Sequence, residues 1–253
     1  MIQVSLNGSR TAADGAAVPM SPEALVEAAL EAVAAGADEV LVHPRTPCGR
    51  ESLSPRVVGP LLRALRAAGV DVPLAVCASI APEPDPAARI ARVRAWEVLP
   101  DRAAVHFDEP GATELAEALL SRGVAVDAVF AAGAGADAGA RWVRARGLDR
   151  RRTRLVVEVP SAAQELLRTI GPGPGQEVLL FGRGDAGWAA VALARSSGFG
   201  VRLGVGDATR MPDGRPAPSA ALVTRATHHL APHRPPAPAR PPGRWRPAAS
   251  RQG

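Results

Sequence analysis

Residues 39–69, EVLVHPRTPCGRESLSPRVVGPLLRALRAAG, contain one complete strand-and-helix unit. The apolar run EVLVH predicts a short buried strand. Ser54 and Pro55 predict a helix start, because a serine can cap the free amides and proline fits the first helical turn. Ser21 with Pro22 and Asp85 with Pro86 predict two further helix starts in the same way. Gly69 suits the left-handed residue that often ends a helix. The stretch therefore predicts a β-strand, a loop and an α-helix, in that order.

The same unit recurs along the chain. Strand-like runs lie at IQVSLN, EVLVH, VPLAVC, AAVHF, VAVDAVF, RLVVEV, EVLLF and GVRLGV, and helix-like runs follow at 22–35, 55–68, 86–97, 111–122, 137–146, 161–169, 186–197 and 218–230. This alternation predicts a parallel α/β sheet, and eight units fit a closed (β/α)8 TIM barrel, one domain over residues 1–230. An open doubly wound sheet is the alternative. No Gly-x-Gly-x-x-Gly follows the first strand, which argues against a dinucleotide site.

The positive charge of the chain lies at its end. The net charge is +5, and residues 231–253 contain five arginines and no acidic residue. This Pro/Arg-rich segment predicts a disordered tail, while the near-neutral domain is not expected to bind nucleic acid. The tail itself could contact anionic partners.

Composition also excludes several classes of protein. No apolar run approaches the ~20 residues of a membrane span and the N-terminus resembles no signal peptide, so we expect a cytoplasmic protein. The two cysteines, Cys48 and Cys77, are expected as free thiols. The absence of lysine excludes Schiff-base and Walker-type phosphate chemistry.

Polar side chains collect at the predicted carboxyl ends of the strands, where the active sites of such barrels lie. They are Asn7, Arg10, His43, Arg45, Cys77, Ser79, His106, Asp108, Glu109, Glu158, Arg183, Asp185, Arg202 and Asp207. This edge of the barrel is therefore the predicted site.

Three segments, VSLNGSR, AAGADEVLVHPRTPCGRESL and VRLGVGDATRMPDGRPAPSAALV, occur in this order through residues 1 to about 226. They resemble signatures of the β-keto acid cleavage enzymes, the 3-keto-5-aminohexanoate cleavage proteins. The resemblance implies a zinc-dependent retro-Claisen acyl transfer between a β-keto acid and acetyl-CoA, which gives acetoacetate and a new acyl-CoA. It also implies a small-molecule substrate, and a homo-oligomer is possible.

The resemblance assigns roles unevenly to this sequence. It implies that Asp207, Arg202 and His43 are catalytic, with Arg202 holding the substrate carboxylate and His43 also a zinc ligand. The resemblance implies two further ligands, a histidine and a glutamate, and these positions are Leu41 and Gly206 here. Residues matching or neighbouring substrate-binding and cofactor-binding positions are Arg45, Asn7, Cys77, Ser79, His106 and Arg183, the last in a glycine-rich turn that could meet a CoA phosphate.

One histidine cannot replace the three protein ligands of a catalytic zinc. The site could be rebuilt from His43, His106, Cys77 and Asp207, or lost, or used for metal-free chemistry. We expect these side chains not to converge on one ion. The alternative function is a non-catalytic acyl-CoA or carboxylate-binding barrel. Strand parity further predicts that Leu41, His43 and Arg45 face the pocket.

Overall fold

A computed structural model describes residues 1–132 and 137–231. Eight parallel strands form a closed barrel in chain order, and the first strand pairs with the last through Ile2 and Val201. The strands are β1 Ile2–Ser5, β2 Glu39–Val42, β3 Leu74–Cys77, β4 Arg102–His106, β5 Ala125–Phe130, β6 Thr153–Glu158, β7 Val178–Phe181 and β8 Gly200–Leu203. The prediction of a TIM barrel is confirmed, and the open sheet is excluded.

A helix follows every strand. The helices are α1 Pro22–Ala34, α2 Pro55–Ala67, α3 Pro86–Arg94, α4 Ala112–Ser121, α5 Ala138–Gly147, α6 Ala162–Ile170, α7 Ala186–Ser197 and α8 Ser219–Leu230. A short 3-10 turn, Ala12–Asp14, precedes α1.

The predicted helix caps are made at two of three sites. Ser21 Oγ accepts from the amide of Ala24 at 3.2 Å, and the Asp85 carboxylate caps α3 in the same way. Ser54 sits at the N-cap of α2, but its side chain accepts no capping hydrogen bond. Its carbonyl instead accepts the amide of Val57 at 2.9 Å, so the first turn closes through the backbone.

Side chains alternate between the barrel interior and the helical layer, as strand geometry requires. Val40 and Val42 belong to the large core between strands and helices. Leu41 belongs to a separate apolar layer inside the barrel, which consists of Leu41, Ala75, Cys77, Ala104, Val129, Val156, Leu179 and Phe181. The predicted parity of β2 is confirmed for these three residues.

A buried ionic layer lies inside the amino ends of the strands. Arg154 contacts Glu39 at 2.6 Å and Asp127 at 2.8 Å, and Arg102 contacts Asp127 at 2.7 Å. Gln3 donates from one amide nitrogen to both carboxylates. Two arginines thus balance two carboxylates, so the layer carries no net charge.

The prediction of a disordered tail over 231–253 concerns residues that lie, from 232 onward, outside the described part of the chain. Within residues 1–132 and 137–231, no helix combines the length and apolar character needed to cross a bilayer.

Candidate active site

A cavity of about 550 Å³ lies at the carboxyl ends of the strands, above the apolar layer. The resemblance assigns catalytic or binding roles to nine residues. Seven of them line this cavity, namely His43, Cys77, Ser79, His106, Arg183, Arg202 and Asp207. Residues from strands far apart in sequence therefore meet around one space, at the edge where TIM barrels carry their chemistry.

Arg202 and Asp207 form a bidentate pair in this wall. Nε of Arg202 donates to Asp207 Oδ2 at 3.1 Å, and Nη2 donates to Oδ1 at 2.8 Å. The guanidinium carbon also lies 3.7 Å from the ring centroid of Phe181. Both charged side chains are buried. The pair fixes the guanidinium plane, and the Nη1 edge is left for a further acceptor.

His43 follows β2 and is held by its backbone. Asn7 Nδ2 donates to the His43 carbonyl at 2.9 Å, and the His43 amide donates to Asn7 Oδ1 at 2.9 Å. Burial lowers the pKa of His43 well below its usual value, and the nearby positive charge of Arg202 lowers it further. The imidazole is therefore neutral at pH 7. Its Nδ1 is enclosed and meets no hydrogen-bond partner among the described residues.

Cys77 and His106 are neighbours at the carboxyl ends of the adjacent strands β3 and β4. Cys77 Sγ lies 3.9 Å from His106 Nε2. Burial lowers the pKa of His106 to about 3, and Arg202 contributes to the shift. Burial raises the pKa of the Cys77 thiol to about 12. At neutral pH this part of the wall therefore carries an uncharged imidazole and a thiol.

Arg183 is the most accessible positive charge of the wall, with a side chain that is 65% exposed. Its Nε lies 3.2 Å from Glu158 Oε1, and Glu158 Oε2 accepts the amide of Ala132 at 2.6 Å. Glu158 thus links Arg183 to the loop after β5. The sequence placed Glu158 at a strand end but did not identify this pairing.

Two predicted substrate-binding residues, Asn7 and Arg45, do not line the cavity. Arg45 donates to the carbonyl oxygens of Gly8, Arg10 and Gly49, and so joins the loops after β1 and β2. The prediction that Arg45 meets substrate stays a prediction, and in this structure loop carbonyls accept from both of its terminal nitrogens. Both side chains position the wall rather than form it.

The residues present do not fit a three-ligand zinc ion. In the described part of the chain, no three His, Cys, Asp or Glu side chains are placed to share a metal. Asp207 accepts two hydrogen bonds from Arg202, one on each carboxylate oxygen. Leu41 offers no donor atom.

Gly206 also lies in the cavity wall, where atoms of Ser5 and Gly8 approach it closely. A Cβ at this position would lie 2.8 Å from the backbone nitrogen of Gly8 and even closer to Ser5 Oγ. The position therefore has no space for the ligating glutamate that the resemblance places there.

Sequence reasoning assigned no role to Ser5, Gly8 and Ser9, which also line the cavity. The available signal was strand parity, because Ser5 has the inward parity of Gln3 on β1. Arg89 was missed as well: it is fully buried on α3 and pairs with Glu109 at 2.6 Å.

Several solved structures share this fold. ObcA, in a ternary complex with a C4-CoA adduct and oxalate, superposes with a TM-score of 0.64 at 15% identity, over 84% of this chain and 63% of that chain. The chain thus spans less than two thirds of ObcA. The 3-dehydroquinate dehydratase from Aquifex aeolicus VF5 gives a TM-score of 0.55 at 14% identity, over 91% of this chain and 97% of the other. HPPK-DHPS in complex with substrates gives 0.52 at 14% identity, over 92% and 50%.

At these identities the structural matches establish the fold alone. No curated protein matches the chain in sequence. The family model of the beta-keto acid cleavage enzyme matches residues 1–130, which contain β1 to β5 and His43. Because this match covers just over half of the 253 residues, the chain belongs to the β-keto acid cleavage enzyme family.

Proposed function

We propose that the protein transfers an acyl group between a β-keto acid and acetyl-CoA, giving acetoacetate and a new acyl-CoA. The observation that carries this proposal is the Arg202–Asp207 pair, which is buried in the wall of the cavity at 2.8 Å. Family membership supplies the reaction class, and the pair supplies the two groups that a keto acid requires: a carboxylate receptor and a carboxylate base.

Arg202 is the proposed receptor of the substrate carboxylate. Two of its donors are used by Asp207, and the Nη1 edge is directed away from that contact. A planar guanidinium can hold a second carboxylate there in two parallel hydrogen bonds. Phe181 packs against its face and limits its movement.

Asp207 is the proposed proton carrier. The products require the methylene carbon beside the substrate carboxylate to lose a proton and to bond to the acetyl carbonyl carbon as CoA thiolate leaves. The thiolate then adds to the original keto carbon, the bond from that carbon to the methylene carbon breaks, and the proton returns. A carboxylate at the cavity wall can accept and return this proton.

The test is a turnover assay on the purified full chain with acetyl-CoA and a panel of straight-chain β-keto acids. We expect acetoacetate and the matching acyl-CoA in equal amounts by mass spectrometry. Arg202→Lys should lower kcat/KM at least about a hundredfold, because lysine cannot reproduce the bidentate contact. The control is Arg168→Lys, which alters an exposed pair with Glu165 on α6 and should leave the rate unchanged. Absence of acyl-CoA products across the panel would overturn the proposal.

A second candidate is a barrel that binds a carboxylate or an acyl-CoA without turnover. The observation that favours it is the replacement of ligand positions by Leu41 and by the enclosed Gly206. Saturable binding of a β-keto acid in calorimetry, without any acyl-CoA product in the assay above, would favour this candidate.

A further inference from the structure

His43 lacks the surroundings of a metal ligand. A histidine that binds a metal through one ring nitrogen normally donates the other ring N–H to a carboxylate, a carbonyl or water. In the described part of the chain, His43 Nδ1 is enclosed and no such acceptor meets it. Two hydrogen bonds between the His43 backbone and the Asn7 side chain hold this residue in place. His43 is therefore fixed in position without being prepared for coordination.

The same enclosure indicates which ring nitrogen carries the hydrogen. An uncharged imidazole carries one hydrogen, on either Nδ1 or Nε2. A hydrogen on Nδ1 would bury an N–H without an acceptor, and such orphaned donors are rarer in proteins than under-used acceptors. The favoured tautomer has the hydrogen on Nε2. Since His43 lines the cavity and Nδ1 is enclosed, Nε2 is the nitrogen that can meet a ligand.

We propose that His43 donates its Nε2–H to the keto oxygen of a bound β-keto acid and polarises that carbonyl without a metal ion. The proposal rests on the proposed function, because it names the group that stabilises the enolate formed there. A neutral imidazole is suited to this task, since a positioned N–H donor stabilises the negative charge that develops on a carbonyl oxygen. In a low-dielectric wall this stabilisation is stronger than in water.

The neighbouring groups agree with an oxygen-binding subsite. Ser79 Oγ is buried in the same wall and meets no partner among the described residues. A β-keto acid carries its keto oxygen two carbons from its carboxylate. With the carboxylate on Arg202, the keto oxygen would lie inside the same cavity, whose wall includes His43.

The experiment uses [3-13C]acetoacetate, with butyrate as the matched ligand that has no keto oxygen. The full chain is treated with EDTA and shown to be metal-free by elemental analysis. We expect the bound keto carbon to move downfield in the 13C spectrum. Acetoacetate should also bind up to about tenfold more tightly than butyrate, because one additional hydrogen bond contributes about 1 kcal/mol.

Two variants separate the donor from the space it fills. His43→Leu should abolish the downfield shift and the preference for acetoacetate, while butyrate binding is retained. His43→Gln keeps an amide N–H donor and should retain part of both. The shift in the metal-free wild type is measured independently of either variant, so a variant that fails to fold leaves the test valid.

Three results would contradict the inference. They are a bound keto carbon without a shift in the metal-free protein, a shift that appears only when zinc is restored, and a shift that persists in His43→Leu. Each of these leaves the proposed acyl transfer standing. Failure of both acetoacetate and butyrate to bind would instead overturn the proposed function together with this inference.

Discussion

Replacing Gly206 by alanine should destabilise the barrel, because the new methyl group has no space. A Cβ there would lie 2.8 Å from the Gly8 backbone nitrogen and 3.1 Å from Ser5 Cβ, with Ser5 Oγ closer than either. The Ser5 hydroxyl can rotate away, but the backbone nitrogen cannot. Overpacking of this kind costs about 1–3 kcal/mol of unfolding free energy.

Urea unfolding measures this cost from the midpoint and slope of the transition. The matched control is Gly59→Ala in α2, where a Cβ would meet Val98 Cγ2 at an ordinary 3.7 Å. This control should be neutral or slightly stabilising, because alanine favours a helix over glycine. The double variant Ser5→Ala/Gly206→Ala should recover part of the loss. Equal stability of Gly206→Ala and wild type, within about 0.5 kcal/mol, would refute the argument.

The same crowding bears on restoration of the metal site. Leu41→His/Gly206→Glu restores the two ligand types of the family pattern, but glutamate carries the same unfavourable Cβ. We expect this variant to lose stability and to gain no tight zinc binding in calorimetry. A stoichiometric zinc complex of the variant would show that the loop after β8 yields more readily than its contacts indicate.

Three further predictions concern charge and thiol chemistry. Asp207→Asn leaves the buried guanidinium of Arg202 unpaired and should lower the unfolding free energy by about 3–5 kcal/mol in urea; an unchanged midpoint would contradict it. Burial raises the pKa of Asp127, but the positive charges of Arg154 and Arg102 outweigh burial and lower it from 3.8 to about 2. The ionised carboxylate therefore stabilises the fold above pH 4. This contribution of about 2 kcal/mol is lost as the pH falls towards 2. Thermal unfolding against pH should show this loss, and Asp127→Asn should lack it. Exposed Cys48, with a pKa of about 7, should react with a thiol reagent at pH 8 in the folded protein. Buried Cys77, with a pKa of about 12, should react only after unfolding. The variant Cys48→Ser should therefore show no reactive thiol in the folded state.

Local sequence signals were sufficient to predict the strands and helices of this fold. The turn from Ser21 or Asp85 into a proline marks the starts of α1 and α3, and both side chains make the predicted caps. Alternation on β2 placed Leu41 in the barrel interior and its neighbours in the helical layer. These signals are local because a cap or a strand face depends on residues within a few positions.

The contacts within the site could not be predicted in the same way. Arg45 has the parity of a pocket residue, but it binds carbonyl oxygens of Gly8 and Arg10, which are 37 and 35 positions away. Alternation along a strand predicts the side on which a residue lies. It does not predict which acceptors a long side chain such as arginine will bind. Pairs such as Arg154 with Glu39, separated by 115 positions, form only when the barrel closes. The resemblance to a family identified Arg202 and Asp207, which no local pattern distinguishes from other charged residues.

The ionic layer at the amino ends of the strands forms a floor beneath the cavity. Among the described residues, Arg154, Glu39, Asp127 and Arg102 occupy the barrel interior below the apolar layer. In the proposed reaction, a keto acid and a thioester would then both enter from the carboxyl ends of the strands, and both products would leave there. The order of binding and release would then depend on depth in the cavity, since a molecule bound near the rim blocks the entry and the exit of one bound deeper. An acyl-CoA that lingers there would trap the smaller acid beneath it.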